Sequence, residues 1–238
     1  MVGKTTAEVK SLTLMRETIR QFRSILSGDE VVISERPATI FGDAVRLPDA
    51  FHWPFGGFDY PRRRIPVYLG ARGQKMIQAA GELADGLVCE HSWPVPAIRA
   101  WTGAFYDAVK GARRDASQIE AVGLILFSPS ENGCPDERIK LFLAKRIAKI
   151  GDEDASRFGL DPLQVARIRS QWQAGDHTKA SRSLSKDLIL AFGAIGTPEE
   201  CIVKLRDYNE AGLTVPLVFP EACELRLAIE VGQSYIRS

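Results

Sequence analysis

The chain has 238 residues, of which 45% are hydrophobic and 26% charged, the composition of an ordinary globular protein. Its 31 Lys and Arg against 30 Asp and Glu give a net charge of +1, so no electrostatic footprint points to nucleic acid or an anionic membrane. No apolar run approaches the roughly 20 residues that span a bilayer, MVGKTTAEVK lacks the apolar core of a signal peptide, and four scattered cysteines (Cys89, Cys134, Cys201, Cys223) read as free thiols with no metal site. The expectation is a cytoplasmic enzyme or binding protein.

Val9, Leu12, Met15, Ile19, Phe22 and Leu26 recur at helical spacing and predict one buried face, with Gly28 as the stop. Residues 29–64 read as a long irregular insertion rich in Pro and aromatics, the kind of loop that is usually a functional lid or a flexible linker. Within it, 31–34 is a doubtful strand. Ile65 to Leu69 predicts a buried strand, Gly70-Ala71-Arg72-Gly73 a turn, 74–84 a helix and 87–89 a second strand. Residues 94–114 predict a helix with Trp101 and Phe105 in the core, 119–127 a strand, and 136–150 a helix. One helix is expected within the polar segment 152–177, at 162–173, and Leu184 to Phe192 reads as helical. Thr197-Pro198-Glu199-Glu200 carries an N-cap, a first-turn proline and first-turn acids, so a helix should run from there to Ala211. Leu213 to Phe219 predicts a strand despite Pro216, and 224–236 a closing helix.

Strands alternating with helices of 10 to 20 residues indicate an α/β fold with parallel strands. Four strands are half of the eight a parallel barrel needs. Pattern alone leaves an incomplete barrel and a small open sheet as alternatives.

Two places could carry chemistry. The turn Gly70-Ala71-Arg72-Gly73 follows a strand and opens a helix, where small residues and free N–H groups can grip a phosphate; the plainer reading is a tight βα turn. Glu90-His91-Ser92 follows the next strand, at the end where a parallel barrel keeps its active site. The plainer reading there is a solvent-facing loop. Arg62-Arg63-Arg64 reads as a solvated strand entry, and Cys201 and Cys223 as core.

PVYLGARGQKMIQAAGELADGLVCEHS (66–92) resembles the strand–turn–helix–strand block of the luciferase-like monooxygenase superfamily. The likeness is greatest to its F420-dependent, methylenetetrahydromethanopterin reductase-like branch. MRETIRQFRSILSGDEV (15–31) and FGAIGTPEECIVKLRDYNEAGL (192–213) are similar to further blocks of that family, in its order. The resemblance implies an incomplete (β/α)8 TIM barrel, with parallel strands, surrounding helices and the first strands missing. The family carries roughly a hundred more residues ahead of the first block, in keeping with barrel size. A single domain over 1–238 is expected.

The same resemblance implies an oxidoreductase that uses coenzyme F420, or alternatively FMN, for hydride transfer or monooxygenation of a small-molecule substrate. Gly70, Ala71, Arg72 and Gly73 would bind the phosphate-bearing tail of the cofactor, and Glu90, His91 and Ser92 would lie on the substrate side. Glu90 departs from the family, which often has Thr or Ser there, and would repel an anion. The family's catalytic His and Trp come from early strands, so those roles do not pass to His52 or Trp53, and little turnover is expected of this chain alone. A homodimer or a partner chain is implied. A non-catalytic flavin-binding or partner subunit is the alternative function.

Overall fold

The computed structural model describes residues 11–26, 38–40, 43–45 and 66–237. Helix α1 (Ser11–Leu26) comes first. It buries Ile19, but Phe22, expected on the same face, is 51% exposed. Val9, Gly28 and the doubtful strand at 31–34 lie outside the described residues. Two three-residue strands, β1 (Ala38–Ile40) and β2 (Asp43–Val45), pair antiparallel inside the insertion read as irregular.

The main sheet is parallel throughout. Its strands are β3 (Tyr68–Gly70), β4 (Gly86–Cys89), β5 (Glu120–Pro129), β6 (Gly193–Gly196) and β7 (Val215–Pro220). Gly70 lies opposite Val88, Cys89 opposite Gly123, and Val122 opposite Val215. Val122 and Gly123 pair with both β4 and β7, which therefore flank β5 on opposite edges. Leu126 and Phe127 pair with both β6 and β7. Strand β6 thus takes over the β4 edge of β5 beyond the point where β4 ends. Without β6, the strands β3, β4, β5 and β7 stand side by side in chain order, the succession of a (β/α) barrel. Among the described residues the sheet does not close.

Helices α2 (Gln74–Leu83), α3 (Val95–Gly111) and α9 (Pro198–Glu210) pack on the sheet, and α10 (Leu225–Arg237) ends the chain. Their buried faces carry Ile77, Phe105, Val109, Leu205 and Tyr208 against Leu87, Ile125 and Phe127. Gly81 of α2 meets α3 closely: a Cβ there would stand 2.6 Å from Ala108 Cβ and from the Phe105 carbonyl. Between β5 and β6 lie α4 (Glu137–Ile147), α5 (Asp152–Arg157), α6 (Pro162–Gln173), α7 (His177–Arg182) and α8 (Lys186–Ala191). Trp101 and Phe105 are core, as is Cys201, whereas Cys223 is half-buried.

Several expectations change. The strand expected at 65–69 is Tyr68–Gly70, and only Leu69 is buried, because β3 pairs with β4 alone among the described strands. The strand expected at 119–127 runs to Pro129, held there by β6. The polar segment forms three short helices rather than one: Gly151, Asp161 and Asp176 each open a helix, and two of the helices are too brief for periodicity to reveal. Leu184 precedes α8, whose N-cap is Ser185. Strand β6, four residues with Gly at both ends, had no strand signature. Pro216 is accommodated because β7 pairs only with β5 among the described strands, and an edge tolerates a missing donor.

Candidate functional site

Parallel register brings the ends of β3 and β4 to one rim. After β3 the chain turns through Ala71, Arg72 and Gly73 into α2. Gly73 is the N-cap of α2 and no side chain caps it. The carbonyl of Gly73 accepts from Met76 and Ile77, as a helix start requires. Arg72, Gly73 and Gln74 are exposed, and Cβ atoms built on Gly70 and Gly73 would meet nothing within 4 Å. The start of α2 is therefore exposed and carries the partial positive charge of a helix amino end.

Glu90, His91 and Ser92 follow β4 at the same rim, and the structure joins the two predicted clusters. Arg72 Nη1 donates to Glu90 Oε2 over 3.1 Å. That same oxygen accepts from the indole of Trp93 at 2.9 Å. Ser92 is buried with φ at 54°, a left-handed conformation that costs a non-glycine residue about 1 kcal/mol or more. Its amide donates to the Leu124 carbonyl at 2.8 Å, and its Oγ lies 2.8 Å from His91 Nδ1. The solvent-loop reading of this segment is therefore replaced by a pinned corner that packs on β5. Of the three residues, Ser92 is spent on structure, while Glu90 and His91 keep exposed surface.

His91 stands edge-on to Phe142 of α4 and Phe219 of β7 at 5.6 and 5.3 Å between centroids. Burial, aided by the charge of Arg146, holds its imidazolium below the ordinary range, so it is neutral at neutral pH. Arg146, on α4, is a rim residue that sequence reasoning missed. Its Nε donates to the Ser92 carbonyl at 2.9 Å, its Nη2 lies 3.7 Å from Glu90 Oε1, and its guanidinium sits 5.6 Å from the Trp93 ring centroid. Arg72 lies 5.5 Å from the same centroid. The signal was available: Arg146 follows Ile139 and Leu143 by seven and three residues, on the buried stripe of α4. Trp93 itself packs on Trp101 and Phe158, and its carbonyl accepts from Tyr208 Oη at 2.8 Å.

The opposite end of β4 is built differently. Asp85, buried at its amino end, accepts from the Val67 amide at 2.8 Å and from Arg23 Nη2 of α1 at 2.9 Å, with Arg114 Nη2 3.9 Å away. Arg23 also donates to the Leu83 carbonyl and Arg114 to that of Gly81, both at 2.7 Å. The Ala84-Asp85-Gly86 part of the resembled block thus ties α1 and α2 to the segment entering β3 and the segment leaving α3. The carboxyl end holds the open, exposed turn, while the amino end is tied down, a division usual for parallel barrels. Among the described residues no group of three His, Cys, Asp or Glu could hold a metal ion, and no helix is long and apolar enough to cross a membrane. Cys89 is buried in the core under the rim, its thiol pushed up to about 12 by desolvation, so it is no nucleophile.

Comparison with known proteins identifies relatives of this fold. A 5,10-methylenetetrahydromethanopterin reductase of Methanolobus tindarius is 27% identical over 211 residues, covering 85% of this chain and 59% of the relative. The reductase of the same name from Methanopyrus kandleri is 30% identical over 181 residues, covering 72% and 50%. The solved coenzyme F420 dependent tetrahydromethanopterin reductase from Methanopyrus kandleri superimposes with a TM-score of 0.74 at 24% identity, over 97% of this chain and 64% of that one. The chain therefore spans between half and two-thirds of the length of these proteins, and its parallel strands with surrounding helices share their fold. The model of the family described as luciferase-like monooxygenase matches residues 7–215. By that match the chain belongs to the luciferase-like monooxygenase family.

Proposed function

We propose that this chain forms part of a coenzyme F420-dependent oxidoreductase, with the phosphate-bearing tail of the cofactor seated on the turn Gly70-Ala71-Arg72-Gly73. The observation that carries this reading is the uncapped first turn of α2. It is exposed beside the Arg72 guanidinium, with room at Gly70 and Gly73, at the carboxyl end of a parallel strand. The names of two relatives support F420 over FMN: the solved coenzyme F420 dependent reductase from Methanopyrus kandleri, and an F420-dependent glucose-6-phosphate dehydrogenase of Nakamurella multipartita at 27% identity.

The residues at the rim fit the anionic end of such a group. Gly70 and Gly73 leave room for it, the α2 amides donate to it, and Arg72 adds a charge-assisted contact. When bound, the deazaflavin supplies hydride transfer with a small organic substrate. The chain's own contribution is to orient and to exclude water. Phe219, Phe142 and neutral His91 form an apolar shoulder next to the turn. Association with a second copy or another chain belongs to the same proposal. It is supported by the exposed Leu217 and Phe219 of β7 and Leu225 and Ile229 of α10, and sedimentation velocity tests it.

Titration of the purified chain with F420 and with FMN, read by cofactor fluorescence, tests the central claim. Saturable binding of F420 is expected, weakened about tenfold in Arg72→Ala, the loss of one charged hydrogen bond. Tighter binding of FMN would replace F420 as the cofactor, and no binding of either would overturn the reading. Turnover with reduced F420 separates an enzyme from a non-catalytic binding subunit.

A further inference from the structure

We propose that Glu90 is a built-in anion that occupies a two-arginine clamp, Arg72 with Arg146, and that an incoming phosphoryl group binds by displacing it. The inference rests on the cofactor reading for the identity of the natural ligand, but the clamp itself is argued from this chain's geometry.

Two guanidiniums converge on one indole, Arg72 at 5.5 Å and Arg146 at 5.6 Å from the centroid of Trp93. Two like charges so placed favour an anion beside them. Here the anion is Glu90, with Oε2 accepting from Arg72 and Trp93 and Oε1 3.7 Å from Arg146 Nη2. Glu90 does not satisfy both arginines. Arg146 Nη2 is buried and has no hydrogen-bond partner among the described residues, and 3.7 Å is too long for a hydrogen bond. Its Nε is already committed to the Ser92 carbonyl, which aims the guanidinium at the rim. Burial and the charge of Arg72 both disfavour the charge on Arg146, so a better anion would be drawn to it.

A phosphoryl group matches what Glu90 leaves unfilled. It carries more acceptor oxygens than a carboxylate, and arginine pairs with it in a two-pronged geometry. The uncapped first turn of α2 borders Arg72. The exchange is easy because the Arg72 and Glu90 side chains are 56% and 43% exposed, and such pairs are weak in water. The acid that would repel an anion when taken alone thus becomes a placeholder. It holds two arginines together until the ligand arrives.

The test uses the full chain and its Glu90→Gln, Arg146→Met and Arg146→Lys variants, with affinity for inorganic phosphate and for F420 measured by thermal shift and fluorescence. The amide introduced by Glu90→Gln keeps an acceptor for the Trp93 indole and removes only the charge. Glu90→Gln is expected to tighten both ligands about threefold to fivefold, the range an exposed ion pair spans. Arg146→Met should weaken both about tenfold and abolish the gain from Glu90→Gln in the double variant. Arg146→Lys, which keeps charge and packing, should fall between and guards against loss of fold. Unchanged or weaker phosphate binding in Glu90→Gln would overturn the proposal, and so would phosphate binding indifferent to both Arg146 variants. If phosphate behaves as expected while F420 does not bind, the clamp stands and the cofactor reading fails.

Discussion

Single residues at the two ends of β4 do opposite work. Asp85 sits where a carboxylate takes a backbone amide and two arginines below the sheet. Asp85→Ala would leave Arg23 and Arg114 without their anion and should cost about 3 kcal/mol, measurable as a lowered urea midpoint. At the rim, His91 is neutral in the fold because burial, more than Arg146, disfavours its proton. The unfolded chain takes that proton near pH 6.5, and the folded chain resists it until the pH is lower. Stability should therefore be full above about pH 7 and decline as pH falls through and below 6.5. His91→Gln should flatten that part of the curve in chemical denaturation between pH 7 and 5; an unchanged slope would mean that His91 is not the group responsible.

At the scale of elements, two features have measurable weight. Helix α9 opens with a reciprocal capping box: Thr197 Oγ1 accepts from the Glu200 amide, and Glu200 Oε2 from the Thr197 amide at 2.8 Å. Thr197→Ala should cost about 1 kcal/mol, and Thr197→Ser much less. The α2–α3 contact depends on Gly81, whose missing Cβ lets the Phe105 carbonyl approach. Gly81→Ala must push the helices apart, a loss of about 2 kcal/mol despite alanine's better helix propensity. A stabilised Gly81→Ala variant would show that the contact relaxes freely. The first was legible as a motif, since the Thr-Pro-Glu-Glu start names its own function. The reason for the glycine was not legible, because it lies on α3.

For the whole molecule, the succession β3, β4, β5, β7 makes a half-circuit whose carboxyl rim gathers residues from the turn before α2, the corner after β4, α4 and β7. If the rim holds the cofactor, F420 at a hundredfold excess over its Kd should stabilise the fold by about 2.7 kcal/mol. That is a rise of several degrees in Tm, and the rise should shrink in Arg72→Ala. The exposed apolar side chains of β7 and α10 belong to this scale too. Ile229→Glu should reduce any self-association in sedimentation without lowering the urea midpoint, because Ile229 is half exposed.

The sequence alone determined the elements with strong local signals: α2, α3, α6 and α9, the strands β4, β5 and β7, and the small-residue turn after β3. Periodicity, caps and glycine turns are local properties, so one chain segment carries each in full. Short pieces such as α5, α7 and β6 escaped because four to six residues hold too few turns or alternations to register. Only the tertiary structure decided which residues meet at the rim. Arg72 and Glu90 are 18 positions apart, and Arg146 a further 56; a hydrogen bond or a shared indole between them exists only once parallel register has aligned the strands. The departure at Glu90 is of this kind: its meaning as an anion between two arginines depends on charges that neighbouring sequence does not contain.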